Sequence, residues 1–220
     1  MFLVQPMVFC LHCMTGRELQ RITGNLNLKV GNLIANEIKK LRLLFHRSTL
    51  MHEDQLVPTV EDALTVISGA VEQVILDLKV GPPLYEKGLA KDILSVVEKT
   101  QCKNCLLWAK SDDVMREVRT ISPQTQVGYV VMAEGDGGVR SDPLRMDVAA
   151  VVGVHHPLID EQLVRDVHGK NMSVYAWTVD DEDSMRRLLA DRVDAMVTNK
   201  PGLLIQVMQD VKTECQVTFL

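Results

Sequence analysis

From Val74 onward, short runs of β-favouring residues alternate with stretches whose apolar residues recur every three or four positions. The runs are Val74 to Lys79, Cys105 to Ala109, Gln126 to Met132, Ala149 to Val154, Ser173 to Val179 and Ala195 to Val197. Between them lie apolar faces at helical spacing: Leu89, Ile93, Val96 and Val97; Val114, Met115, Val118 and Ile121; Leu163, Val164 and Val167; Met185, Leu188 and Leu189. Leu203, Leu204, Val207, Met208 and Val211 make a last one. Parallel strands are joined only through long crossovers, so this alternation predicts a parallel sheet with helical cover. Ala133 to Arg145 (AEGDGGVRSDPLR) breaks the rhythm, and its Gly-rich, polar composition predicts a surface loop.

Ser173 to Pro201 is the most informative stretch. A strand leads to an acidic turn, a short amphipathic helix, a second strand and a helix opening on Pro201, where a missing N–H costs nothing. Asp180 and Asp181 are placed to accept the free N–H groups of the helix that they precede. Trp177 and Thr178 then fall at the C-terminal mouth of a parallel strand, as in one unit of an α/β barrel. A closed barrel of this kind has eight strands. The runs above, with Val4 to His12 as a further strand, fall short of that. The expected fold is therefore an incomplete TIM (β/α)8 barrel, with something missing at the front. An open, doubly wound nucleotide-binding domain is the competing architecture, but it calls for a Gly-rich turn after its first strand, and Val80-Gly81-Pro82-Pro83 is a poor phosphate cradle.

The first seventy residues read differently. Leu19 to Leu44 has helical stretches broken by Gly24 and Gly31, and His46 to Leu56 looks like a loop. A helix starts near Thr59, with Glu61 and Asp62 in a first turn whose dipole favours acids. The chain thus reads as one domain, 1–220, with an insertion-like helical and loop region at 13–56 and βα units over 57–220.

Composition narrows the function classes. An apolar fraction of 46% and a charged fraction of 24% are those of a globular protein. A net charge of −5, without a basic stripe, gives no reason to expect nucleic acid. No apolar run reaches the ~20 residues of a membrane helix. MFLVQPMVFCL lacks a leading basic residue and is interrupted by Pro6, so a strand is expected there instead of a leader, and a soluble, cytoplasmic protein by default. Cys10/Cys13 and Cys102/Cys105 form two Cys-x-x-Cys pairs with the ligand count of a structural zinc site. The plainer reading makes Cys102 and Cys105 part of the strand CKNCLLWA, where residues three apart point to opposite faces.

Several segments, in order, resemble the glycerophosphodiester phosphodiesterase family. Leu19-Gln20-Arg21-Ile22-Thr23-Gly24-Asn25 is similar to the Leu-x-Arg-x-Thr-x-Gly that follows the family's second catalytic histidine. Glu37 to Leu41, Val57 to Leu64 (beside the family's Ile-Pro-Thr-Leu-Glu-Glu) and Leu76-Asp77-Leu78-Lys79 (beside Ile-Glu-Ile-Lys) follow. Trp177-Thr178-Val179 and Asp194 to Pro201 resemble its closing Trp-Thr-Val and Asp-Gly-Ile-Ile-Thr-Asp-Xaa-Pro.

The resemblance implies metal-assisted hydrolysis of glycerophosphodiesters to sn-glycerol 3-phosphate and an alcohol at the barrel's C-terminal mouth. A cation (Mg²⁺ or Ca²⁺) and a basic side chain would neutralise the phosphodiester charge, and two imidazoles would exchange acid and base roles. On this chain it implies Asp77 as metal ligand, one methylene shorter than the family's Glu, with an ion pair to a nearby lysine as the plain alternative. Lys79, on the same face, would touch the phosphate as a catalytic and binding group. Trp177 would wall the glycerol, with a plain core tryptophan as the alternative. His12 would be the second histidine, with an ordinary surface histidine as the alternative, since Cys13 stands where the family has Asp. His155-His156-Pro157, at the mouth end of its strand, could face the pocket, His155 being either structural or substrate-lining. His-Arg-Gly and Glu-x-Asp are absent, and His46-Arg47-Ser48 is out of order, so the resemblance implies a barrel lacking its first strand and most of its second. The alternative is therefore a catalytically impaired fragment acting as a binding module. Open sheet edges would also invite self-association.

Overall fold

A computed structural model of the chain describes residues 8–12, 20, 24–29, 32–33, 37, 59–81, 86–134 and 139–217. Most of the 13–56 region, His46-Arg47-Ser48 and Cys13 lie outside these residues. The elements run β1 (Val8–His12), α1 (Val60–Ile67), β2 (Gln73–Leu78), α2 (Leu89–Lys99), β3 (Cys105–Ala109), α3 (Asp112–Ile121) and β4 (Gln126–Val131). There follow β5 (Ala133–Glu134), β6 (Val139–Arg140), β7 (Val151–His155), a 3₁₀ turn at His156–Leu158 and α4 (Glu161–His168). The chain then forms β8 (Ser173–Trp177), α5 (Glu182–Ala190), β9 (Ala195–Met196) and α6 (Pro201–Val217).

Seven parallel strands form one sheet in the order β1-β2-β3-β4-β7-β8-β9. A doubly wound sheet reverses its strand order at a switch point. This sheet adds each strand on the same side, which is barrel winding. It is also curled. Four strand steps separate β2 from β8, or roughly 19 Å in a flat sheet, yet the Tyr175 hydroxyl on β8 donates to Gln73 Oε1 on β2 at 2.9 Å. Gln73 Nε2 in turn donates to Gln126 Oε1 on β4 at 3.3 Å. Among the described residues β1 and β9 pair with no further strand, so the barrel is unclosed.

Strand alternation sends two sets of side chains to two faces. Val74, Leu76, Leu107, Val127, Tyr129, Val152, Val154, Val174 and Ala176 meet the helices in the main core. The helices contribute the faces that the spacing predicts, including Ala90 and Ile93, Val114, Met115 and Val118, Leu163, Val164 and Val167, and Met185 and Leu188. On the other face, Ile75, Leu106, Trp108 and Val151 cluster with Tyr175, Trp177 and Val197, filling the concave lumen.

Helix starts follow local chemistry. Thr59 and Asp62 form a reciprocal capping box on α1. Ser111, Asp160 and Asp181 cap α3, α4 and α5 through hydrogen bonds from the N–H groups of Val114, Leu163 and Ser184. The expectation for Asp180 needs correction: Asp181 is the cap, and Asp180 turns towards the loop after β9. The predicted loop at Ala133 to Arg145 contains an antiparallel β5–β6 hairpin. Its end is pinned, because Arg145 pairs with Asp112 at 2.8 and 3.0 Å and lies 4.4 Å over the Tyr129 ring. Tyr129 is fully buried, and burial pushes its phenol up to about 12 despite the guanidinium. The strand reading of Cys102 is also corrected. This residue lies in the turn before β3, and its sulfur is bonded to that of Cys105.

Candidate active site at the mouth of the unclosed barrel

Parity along each strand decides which side chains reach the mouth. Asp77 shares its face with Ile75, as does His155 with Val151, and Trp108 and Trp177 are themselves in or against the lumen cluster. Register pairs Asp77 with Trp108 and His155 with Trp177 towards the C-terminal ends of their strands; followed through Gly128 on β4, Trp108 is in register with Val151, four residues before His155. His12, whose backbone alone is described, pairs in register with Asp77. Lys79 follows β2 by one residue, and its ammonium forms an ion pair with Asp77 Oδ2. The plain alternative for Asp77, a lysine partner, is thus observed, and the partner is the residue expected to meet phosphate.

That pair occupies only half of the carboxylate. Among the described residues, Asp77 Oδ1 is buried without a hydrogen-bond partner, and so are Trp108 Nε1, Trp177 Nε1 and His156 Nδ1. A buried polar atom left unpaired costs about 1–3 kcal/mol. Three of these four atoms are on the lumen face at the mouth, and the fourth follows β7 there. A mouth with uncommitted donors and an uncommitted carboxylate oxygen is arranged to receive a polar ligand.

The histidine pair has a defined setting. The His155 ring lies 5.1 Å from the Trp177 ring, tilted by 34°, and 5.7 Å from His156, edge to face. Burial lowers the His156 pKa from 6.5, and His155 adds to the effect. Arg187 holds the backbone here, donating to the carbonyls of His156 and Ile159 at 3.0 Å each. Beside them Asp180 accepts from Thr198 Oγ1 at 3.0 Å and from Asn199 N and Nδ2 at 2.8 Å. The Asn199 side-chain amide is the main cause holding the Asp180 carboxyl below its usual range. This latch joins the loops after β8 and β9, and Asn199 stands where the family pattern has Asp.

A Mg²⁺ or Ca²⁺ ion takes six or more oxygen ligands, several of them carboxylate. Asp77 Oδ1 fits one such position. Among the described residues, however, no three His, Cys, Asp or Glu side chains are grouped to hold a metal. These residues do not by themselves fit the cation that the resemblance implies. Nor is there, among them, a helix long and apolar enough to cross a membrane.

Sequence spacing did not reveal Trp108, the setting of His156 or the latch made by Asp180. Trp108 was legible in principle: it precedes the last residue of its strand, where barrel side chains face the mouth. The other two depend on contacts between loops that are not adjacent in sequence. A cavity of about 870 Å³ lies at the opposite end, lined by Gln73, Lys103, Asn104, Gln126 and Tyr175 among others, away from the Asp77 mouth.

Residues 7–203 match the model of the glycerophosphoryl diester phosphodiesterase family. The chain is 51% identical over 209 residues to glycerophosphodiester phosphodiesterase GDPD4 of Arabidopsis thaliana, covering 94% of this chain and 62% of that protein. A phosphodiesterase from Oleispira antarctica, solved in complex with the product sn-glycerol-3-phosphate, superposes with a TM-score of 0.69 at 19% identity, over 83% of this chain and 73% of that one. A glycerophosphodiester phosphodiesterase from Parabacteroides distasonis gives 0.67 at 19% identity, over 81% and 72%. The chain therefore spans under two thirds of its Arabidopsis relative and shares the fold of the solved enzymes. With most of its length matched to one family model and its strands wound as in those structures, the chain belongs to the glycerophosphoryl diester phosphodiesterase family.

Proposed function

We propose that the mouth of this chain binds glycerophosphodiesters and serves their hydrolysis to sn-glycerol 3-phosphate and an alcohol. The observation that carries the reading is Asp77 beside Lys79 at the end of β2, one carboxylate oxygen paired and the other buried and uncommitted. Lys79 is a flexible point charge that can turn from Asp77 to a phosphate oxygen. Trp177, half-buried with a free indole N–H, offers the glycerol an apolar wall and a donor. His155 closes that side by packing on Trp177. His12 is the imidazole proposed for proton transfer, from its register position beside Asp77. The sn-glycerol-3-phosphate found in the Oleispira relative supports the ligand class. No step is assigned to a cation, because the described residues provide one ligand position and not a set.

That shortage favours a second reading, a mouth that binds the glycerol phosphate without turning it over. One experiment separates the two. Release of glycerol 3-phosphate from glycerophosphocholine is followed with Mg²⁺, with Ca²⁺ and with EDTA, and sn-glycerol 3-phosphate binding is measured by calorimetry. Cation-dependent release that disappears in Lys79→Met supports hydrolysis. Binding without release, lost in the same variant, supports the second reading. If neither occurs, both are wrong. We further propose that β1 and β9, as the end strands of the sheet, are where copies of the chain would associate, and light scattering of the purified chain tests this.

A further inference from the structure

Cys102 and Cys105 are joined by a disulfide, with their Cα atoms 5.7 Å apart. The bond closes the turn between α2 and β3, far from the mouth. Gln101 enters this turn at φ 54°, and Cys102 N–H bonds back to the Val97 carbonyl at 3.1 Å. The bridge encloses just Lys103 and Asn104.

Asn104 is the hub of this end of the molecule. Its Nδ2 donates to the carbonyls of Ser68 and Val71 at 2.9 and 2.8 Å, and its own carbonyl accepts the Val74 N–H at 2.9 Å. Asn104 thus ties the α2–β3 turn to the α1–β2 turn through its side chain, and to the start of β2 through its backbone carbonyl. Cys102 Sγ lies 3.4 Å from Asn104 Oδ1, so the bridge borders the amide that makes the clamp. Both cysteines are buried, at 6% and 7% exposure, but both also line the N-terminal cavity, which opens to solvent and gives a small thiol a route to the sulfurs.

We propose that Cys102–Cys105 is a redox-sensitive staple that holds Asn104 in its clamp. In formation, the thiolate of one cysteine displaces a thiol from a mixed disulfide between the other cysteine and a small-molecule disulfide oxidant. Two electrons and two protons pass to the oxidant, which leaves as two thiols. A dithiol reductant reverses the exchange. A loop this short removes less chain entropy than a long one, and the bond acts in addition through the placement of Asn104. The staple is independent of catalysis at the mouth.

The test uses the purified chain, alkylated with iodoacetamide after denaturation and analysed peptide by peptide. Without prior reduction, Cys102 and Cys105 are expected unalkylated and Cys215, a free thiol, alkylated. After dithiothreitol all three react. Alkylation of Cys102 and Cys105 without reductant overturns the disulfide. The clamp has its own readouts. Reduction should lower the thermal midpoint by about 2–4 °C and speed exchange of the Val74 amide at least tenfold. A Cys102→Ser/Cys105→Ser variant should already melt at the lower temperature and ignore dithiothreitol. A reduced wild type with unchanged midpoint and unchanged Val74 exchange overturns the link to Asn104.

Discussion

A Cβ placed on Gly153 would lie 2.7 Å from Cζ3 and 2.9 Å from Cε3 of the Trp108 indole. The indole on β3 therefore reaches past β4 to lie against the bare backbone of β7. β4 presents Gly128 beneath it, whose added Cβ would stand 3.4 Å from Trp108 Cβ. Gly153 thus makes room for the aromatic ring, whereas the tight neighbour of Gly128 is the Val151 carbonyl, 2.9 Å from an added Cβ; a flat ring in a close-packed lumen has nowhere to retreat.

Gly153→Ala should accordingly destabilise the chain by about 1–3 kcal/mol, the cost of overpacking, with a change in Trp fluorescence. Gly202 is the control, since nothing lies within 4 Å of its added Cβ. Gly202→Ala is expected to leave stability unchanged or raise it by up to about 1 kcal/mol. Urea denaturation of the two variants checks both.

Tyr175→Phe removes the only described hydrogen bond across the lumen between β8 and β2. The Gln73 carbonyl loses its tyrosine donor, and about 0.5–1.5 kcal/mol of stability should go with it. Exchange of the β2 amides should quicken more than that of the α5 amides, because the bond braces the curl and not the helices.

Lys79→Met is expected to separate binding from folding. The lysine side chain is 40% exposed, so its ion pair with Asp77 contributes about 0–1 kcal/mol and the melting temperature should hardly move. Affinity for sn-glycerol 3-phosphate, measured by calorimetry, should fall about tenfold or more, since a charge-assisted contact is worth about 1.5–3 kcal/mol. A large loss of stability with unchanged affinity would assign Lys79 to structure alone.

His156 makes a pH prediction. Its folded pKa lies below the unfolded 6.5, because burial and His155 disfavour the imidazolium. Below 6.5 the unfolded chain binds more protons than the native one, so this contribution is full above 6.5 and is lost as pH falls from there through the folded pKa. Wild type minus His156→Gln, followed by thermal melts from pH 8 to pH 5, should show that loss. A difference that stays flat across the range would refute it.

Asp180→Ala unties the loops after β8 and β9. Three acceptor contacts disappear, and roughly 1–3 kcal/mol is expected to be lost. The folded carboxyl is held below its ordinary range, so the wild-type advantage is present above the unfolded pKa near 3.8 and fades as pH drops through the folded value. Melts of both proteins at pH 7 and at acid pH check the sign.

Much of the fold was legible because it rests on local periodicity. The β2, β3, β4, β7, β8 and β9 positions, the faces of α2 to α5 and the Thr59 cap all follow from neighbours within a few residues. Asp77, His155 and Trp177 lie near strand ends and Lys79 just after one, positions that the β-favouring runs and the family motifs located between them. The hairpin at Ala133 was hidden because its two-residue strands are too short to show alternation. The turn at Cys102 was misread because an apolar stretch does not mark where a strand begins.

What the sequence by itself determined is the order of strands and helices, the side of each strand that meets the helices, and the family to which the motifs belong. These depend on alternation, helical spacing and short capping patterns, which are properties of nearby residues. Only the tertiary structure decided that Tyr175 meets Gln73 across 102 positions, that Trp108 rests on Gly153, that Asp180 latches onto Asn199 and that Asp77 keeps one oxygen uncommitted. Curling a sheet brings distant strands face to face. Whether a polar atom then finds a partner depends on that three-dimensional closeness, to which spacing along the chain is blind.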